Sequence, residues 1–356
     1  MELTVKQLKE KCREKGITGY SRLNKEQLIE ALKEPTIDEK FINNLPGSVE
    51  VIKYKDKEDW LEVRKLGVGG SEVSAILGYN KYRSAIDVYM DKKNMKPKVD
   101  INKFAHWGNM LEPVIAEEFN FLHFEYEVKP LDVTLKRGYS LANIDRLLFH
   151  KDKGYGVLEI KTTNAFNQDE WEENSVPPNY YCQVMHYLAV TGLKYAYLVV
   201  LIGGNDYREY YIERNENECN VILKVCEDFW NNNIIGNLVP EPTGSKEYSD
   251  YLKDKIGNLE TFEGEISDDN NLSDKLKQVK ESMKELEQEE ERIKQVILTE
   301  ALDKGYTDVK CGKITIKKQA RTTKKLDTDK LKEVVEDLES YYTENTTYSN
   351  VMKLKK

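Results

Sequence analysis

Glu159 and Lys161 stand two residues apart at the end of the apolar run Gly156-Val157-Leu158-Glu159-Ile160-Lys161, with Asp145 a short distance upstream. In a strand, residues two apart face the same side, so Glu159 and Lys161 point into one site and Ile160 points away. Asp145 lies in a second apolar stretch, Leu141 to Phe149, and the polar turn His150 to Gly154 joins the two as a hairpin. Two carboxylates and an ammonium are thereby brought together. Hard oxygen donors suit Mg2+, with Mn2+ able to substitute. A lysine beside such an ion can orient a water and stabilise charge on a phosphate. The chemistry is that of phosphodiester hydrolysis. In a chain with 63 Asp+Glu and 54 Lys+Arg, such a triplet is also a common surface ion pair. The apolar flank argues for the site, because charges in a half-buried strand are costly without partners.

Four further features surround this hairpin. Arg64 leads into Gly67-Val-Gly-Gly-Ser71-Glu72, where glycines let backbone N–H groups approach an anion and Arg64 and Ser71 add a fork donor and a hydroxyl. Glu112 is a single acid in the apolar Trp107-Gly-Asn-Met-Leu-Glu-Pro113. Gln183 and Tyr187 are four apart, and so share one helix face. Thr162-Thr163-Asn164 follow Lys161 and offer hydroxyl and amide groups to DNA. Taken singly, each is ordinary: a turn, a helix-start acid, a polar stripe.

Elements that would position these groups read as follows. Helices are expected over Lys57–Lys65, Ser71–Leu77, Ala85–Lys93 and Met110–Glu118. Strands are expected around 126–135, 139–149 and 154–163. A helix over 178–191, strands Tyr195–Ile202 and Tyr207–Ile212, and a helix over 215–234 complete the region. The pattern is an α/β (α+β) class with a mixed central sheet flanked by helices, spanning 48–240. Residues 1–34 form a helical unit with eight Lys/Arg against six Asp/Glu, opened by Thr4 as N-cap. Residues 35–47 read as a linker. Residues 241–356 form a charged extension: a long helix Leu272–Leu302 on a partial heptad, a hairpin Thr307–Arg321, and a helix from Thr328. Within it, residues 310–332 hold nine Lys/Arg and two acids, an excess able to track a phosphate backbone.

Composition sets the outer bounds. The net charge of -9 argues against a generic basic nucleic-acid coat but leaves local basic patches open. The four histidines are scattered and the five cysteines include no C-x-x-C pair, which disfavours a zinc or iron–sulfur cluster. Neither a signal peptide nor an apolar run of membrane-spanning length is legible, so a cytoplasmic location is expected.

The joint pattern resembles the lambda-exonuclease branch of the PD-(D/E)XK nucleases, the YqaJ-type viral recombinase nucleases. The elements that carry it occur in family order: Gly69-Gly70-Ser71-Glu72 with Ala75-Ile76-Leu77-Gly78, Gly108-x-x-x-Glu112-Pro113, Asn143-Ile144-Asp145, Leu158-Glu159-Ile160-Lys161 and Gln183-x-x-x-Tyr187. The resemblance implies a magnesium-dependent exonuclease that resects the 5′ strand of linear duplex DNA, working with a single-strand annealing partner, and a ring-shaped trimer in its best-known members. It places Asp145, Glu159 and the Ile160 carbonyl on metal positions, Lys161 on the catalytic lysine and Glu112 on an additional acidic position near the metals. Arg64, Ser71 and Gln183 fall on positions that hold the terminal phosphate or the scissile strand. Asn143 stands before Asp145 where the superfamily name has a proline nearby, so that half of the signature is degenerate. The N-terminal unit resembles the SAP-type DNA-binding module over Leu3-Thr4-Val5, Leu8, Gly16-Ile17, Lys25, Leu28 and Leu32. Two other functions stay open: a structure-specific endonuclease on the same core, and a DNA-binding adaptor that keeps the fold without the activity.

Overall fold

The computed structural model describes residues 3–15, 20–33, 37–95, 103–172, 175–257, 259, 264–318, 331 and 335. It divides into two compact units, Met1–Asp250 and Tyr251–Lys356.

The first unit opens with α1 (Val5–Glu14) and α2 (Lys25–Lys33). Thr4 caps α1 through a reciprocal box with Gln7, and Leu8, Cys12 and Leu28 form a small core between the helices. The stretch expected as a linker contains α3 (Ile37–Asn43), whose Phe41 is buried against Tyr155. A buried aromatic anchors that stretch to the following sheet, so it is not a free tether.

Two sheets follow. The smaller has the order β1 (Glu50–Lys53), β4 (Val133–Arg137), β5 (Ser140–Ala142), β2 (Val68–Gly69). The larger has the order β3 (Tyr126–Lys129), β6 (Arg146–His150), β7 (Gly154–Thr163), β8 (Tyr195–Ile202), β9 (Asp206–Glu213). It is antiparallel except for the β7–β8 pair, which is parallel. A parallel neighbour cannot be reached by a tight turn, and α8 (Pro178–Thr191) makes the crossover. α4 (Lys57–Val63), α5 (Gly70–Ile76), α6 (Ala85–Lys92), α7 (Lys103–Leu122) and α9 (Glu216–Asp228) complete the mixed α+β core.

β7 is the middle strand of the larger sheet. Val157, Leu158, Glu159 and Ile160 are all buried, as a strand covered on both faces requires. Ile115 and Phe119 of α7 pack on Leu158, Ile160 and Val199.

Two expected strands are each divided. The stretch 126–135 breaks into β3 and β4, which belong to different sheets, because Pro130 lies between them and has no N–H to give a ladder. The stretch 139–149 breaks into β5 and β6 across Asn143-Ile144-Asp145. Asp145 thus sits in the break rather than within a strand. The helix expected over Met110–Glu118 is the longer α7, which continues through Pro113 although proline cannot donate to the carbonyl four residues back. The helix expected over 215–234 is α9 followed by a wider π-helical turn, Phe229–Ile235.

In the second unit, α10 (Lys246–Gly257) straddles the boundary, α11 (Leu272–Asp303) is the expected long helix, and β10 (Val309–Cys311) with β11 (Ile314–Ile316) is the expected hairpin. The helix expected from Thr328, and the basic stretch beyond residue 318, fall outside the described residues. No helix among the described residues is long and apolar enough to cross a membrane.

Candidate active site

The site forms where β7 leaves the sheet core. Asp145, released from the ladder by the break before β6, accepts a hydrogen bond on Oδ2 from the backbone N–H of Ile160 at 2.8 Å. That bond pins the carboxylate to the strand carrying the other two groups. Glu159 and Lys161 share a face, and the Lys161 ammonium donates to Glu159 Oε1. Gln183, reaching down from α8, donates to the same oxygen at 2.6 Å and lies 2.9 Å from the Tyr187 hydroxyl. Tyr187 and Gln183 approach closely because residue 70 is glycine: a Cβ there would lie 2.5 Å from the Tyr187 ring.

Glu159 is only 1% exposed, and its Oε2 is a buried side-chain oxygen with no hydrogen-bond partner. Burial, reinforced by the nearby Asp145 carboxylate, pushes its carboxyl up to about 8. Glu112 is also raised, by burial first and then by Asp145. Burial works against the Lys161 charge, but Glu159 and Asp145 outweigh it and hold the ammonium above its usual range. Lys161 also lies 5.4 Å from the centre of the Tyr180 ring, a cation–π contact.

These groups line one cleft of about 430 Å³ that brings together Arg64, Ser71, Glu112, Asp145, Glu159, Ile160, Lys161, Thr162, Gln183 and Tyr187, whereas Thr163 and Asn164 lie outside it and bond Asn167 and the Phe166 N–H. Arg64 lies over the Trp60 ring at 4.9 Å, and the Trp60 indole donates to Asn143 Oδ1 at 3.1 Å. Thr134 donates to the same oxygen at 2.7 Å, so Asn143 serves as a structural acceptor beneath the wall.

Sequence reasoning missed several contributors. Arg146 donates to Glu112 Oε1 and to the Asp145 carbonyl, tying the additional acid to the metal-side loop. Its signal was a charge inside an apolar stretch. Glu72 is 4% exposed, accepts from the Gly69 N–H at 2.8 Å and lies 2.7 Å from the Lys92 ammonium. Lys92 also donates to the Arg64 carbonyl at 2.7 Å. Burial opposes the Glu72 charge, yet Lys92, Arg64, Arg83 and the Gly69 N–H together bring its carboxyl below the usual range. The glycine turn was legible; the salt bridge that fixes it, formed with a residue twenty positions away, was not.

Among the described residues, no three acidic, histidine or cysteine side chains are gathered tightly enough to cage an ion by themselves. What the cleft offers is a mixed oxygen set: the Asp145 and Glu159 carboxylates and the Ile160 carbonyl. That set fits a hard divalent cation. The orphaned Glu159 Oε2 is the observation that favours one: burial disfavours the charge on this carboxyl, and a cation at the unpartnered oxygen would restore it.

Residues 59–194 match the YqaJ-like viral recombinase domain. The YqaJ protein of Bacillus subtilis (strain 168) is 31% identical over 292 residues, covering 79% of this chain and 89% of that one. The chain belongs to the YqaJ-like viral recombinase family. Residues 2–36 match a second family, the Rho termination factor N-terminal domain. Among solved structures, an alkaline exonuclease from Laribacter hongkongensis is 18% identical with a TM-score of 0.40, over 57% of this chain and all of that one. Its complex with dAMP gives 19% and 0.41 over the same shares. A phage-related exonuclease from Haemophilus somnus 129PT gives 11% and 0.37, over 50% of this chain and all of that one.

Proposed function

We propose that this YqaJ-family protein is a Mg2+-dependent exonuclease that resects the 5′ strand of linear duplex DNA. The observation that carries the reading is the orphaned, buried Glu159 carboxylate beside Asp145 and the Lys161 ammonium, in a cleft open to substrate. Asp145, Glu159 and the Ile160 carbonyl would hold one ion, and Glu112 would assist a second. When bound, the cation supplies Lewis acidity toward the phosphate and lowers the pKa of a water. Lys161 is placed to donate to a phosphate oxygen and to offset charge in the transition state. Gln183 steadies Glu159 from the opposite wall, and Tyr187 backs Gln183. Arg64, levelled against Trp60, and Ser71 at the glycine turn lie on the wall where a terminal phosphate would be received. Holding that phosphate fixes the distance from the strand end to the cut, which is how an endonuclease core becomes an exonuclease. A ring-shaped homotrimer and a single-strand annealing partner belong to the same reading and rest on resemblance.

The test uses linear, nicked and closed circular duplex, each with Mg2+ or EDTA. Digestion of linear duplex alone, faster from 5′-phosphate than from 5′-hydroxyl ends, is expected, and Arg64→Ala should narrow the difference. Cleavage of closed circles, or equal rates on both ends, would assign a structure-specific endonuclease instead. Absence of any cleavage with tight duplex binding would assign a DNA-binding adaptor.

A further inference from the structure

α11 is 32 residues long and carries an apolar seam that the fold leaves open. Leu272, Val279, Leu286 and Ile293 recur every seven residues, and Leu276, Met283 and Ile297 fall four residues after the first, second and fourth of them. These are the d and a positions of a heptad repeat, sustained over about 38 Å of helix at 1.5 Å per residue. Leu272, Val279, Met283, Leu286 and Ile293 are all exposed, Leu286 at 70%. The hairpin β10–β11 reaches only the C-terminal end, where Ala301 is buried and Ile297 shares a hollow with Val309 and Cys311. A solvated helix has no use for such a stripe, because period-seven apolar residues bury themselves only against a helix of matching period.

We infer that α11 is a self-association element, and that its seam is covered by the same helix of a second copy running antiparallel. Three features choose this occupant. Pairing Met283 with Leu286 of the second copy also sets Leu276 against Ile293 and Leu272 against Ile297, so one register pairs every apolar position of the seam but Val279 with another. The same register places Lys280 beside Glu287 of the second copy, twice by symmetry. The remaining a position is Glu290, which bonds Lys294 of its own helix at 2.6 Å. In a parallel, in-register pair Glu290 would face its own counterpart inside the seam, and Lys275 would meet Lys280. Both are like-charge contacts that act against that arrangement. Antiparallel packing sets Glu290 against Val279, so that no layer of the seam holds two like charges, and opposes the two helix dipoles favourably. The inference is independent of the nuclease reading, and does not depend on how the catalytic unit assembles.

The experiment is sedimentation velocity and light scattering on the full-length protein across concentration. Circular dichroism and cleavage of a short duplex serve as fold controls. The expected result is that Met283→Glu with Leu286→Glu lowers the assembly state by a factor of two while helicity and cleavage persist. Lys280→Glu should weaken association about fivefold, and adding Glu287→Lys should restore it, as two facing ion pairs of ~0.5 kcal/mol imply. Tighter association of Lys280→Glu would show a parallel pair and overturn the orientation. An unchanged mass for the double glutamate variant, or a monomeric wild type, would overturn the inference. A monomeric wild type would mean that the chain's own residues beyond 318 or a different protein cover the seam.

Discussion

The proposed chemistry turns on Glu159 Oε2, a buried side-chain oxygen without a hydrogen-bond partner. Glu159 Oε2 sits in a buried position where its charge is disfavoured. Glu159→Gln should abolish cleavage and yet leave the cation-free protein as stable as wild type or more so. Added Mg2+ should raise the melting temperature of wild type and not of the variant. A variant that still gains stability from Mg2+ would remove Glu159 from the ligand set. Lys161→Ala should lower the cleavage rate by about 10²–10³ or more, the scale of one lost transition-state donor, with duplex binding retained. Near-wild-type digestion would sink the assignment. The triplet and its shared face were legible because a strand's period of two needs no tertiary information. The partners of Glu72 were not, because nothing local marks Lys92 as its counter-ion. Removing one member of that buried pair should cost about 3–5 kcal/mol. The double variant Glu72→Gln, Lys92→Met should then denature later than either single variant, a cycle that chemical denaturation reads directly.

At the scale of elements, α8 does two jobs. It makes the crossover between the parallel strands, and it carries the cleft's far wall. His186 on its buried side donates from Nε2 to the Leu141 carbonyl, 3.0 Å away, and burial lowers its pKa to about 4. Its folded value lies below the unfolded one near 6.5. The unfolded chain therefore binds a proton first as pH falls, and stability is lost between pH 6.5 and about 4, by at most about 3 kcal/mol. His186→Gln should flatten that part of the profile of denaturation midpoint against pH; an unchanged slope would place the effect elsewhere. Helices were read well because apolar spacing and caps are local signals. The strands around Pro130 and Asn143 were not, since an apolar run does not reveal where a chain switches sheets. The Asn143 break was the costlier omission, as it is what turns Asp145 toward β7.

At the scale of the whole molecule, the basic N-terminal helices contribute no group to the cleft. Their eight Lys/Arg against six Asp/Glu are the reason to test them for a phosphate-backbone contact. Deleting residues 1–34 should weaken duplex binding and shrink its salt slope, with the rate on short substrates nearly unchanged. Unchanged affinity and slope in a binding titration would make this unit a packing element. The order of the strands has one more consequence. The catalytic strand lies between a neighbour made before it and one made after it, and the latter ends at Ile202. The two acids, the lysine and the wall that steadies them are therefore assembled only after some two hundred residues have left the ribosome. A chain stopped before Tyr195 should therefore fail to cleave DNA even where residues 1–34 still bind it, because the strand that closes the site is missing.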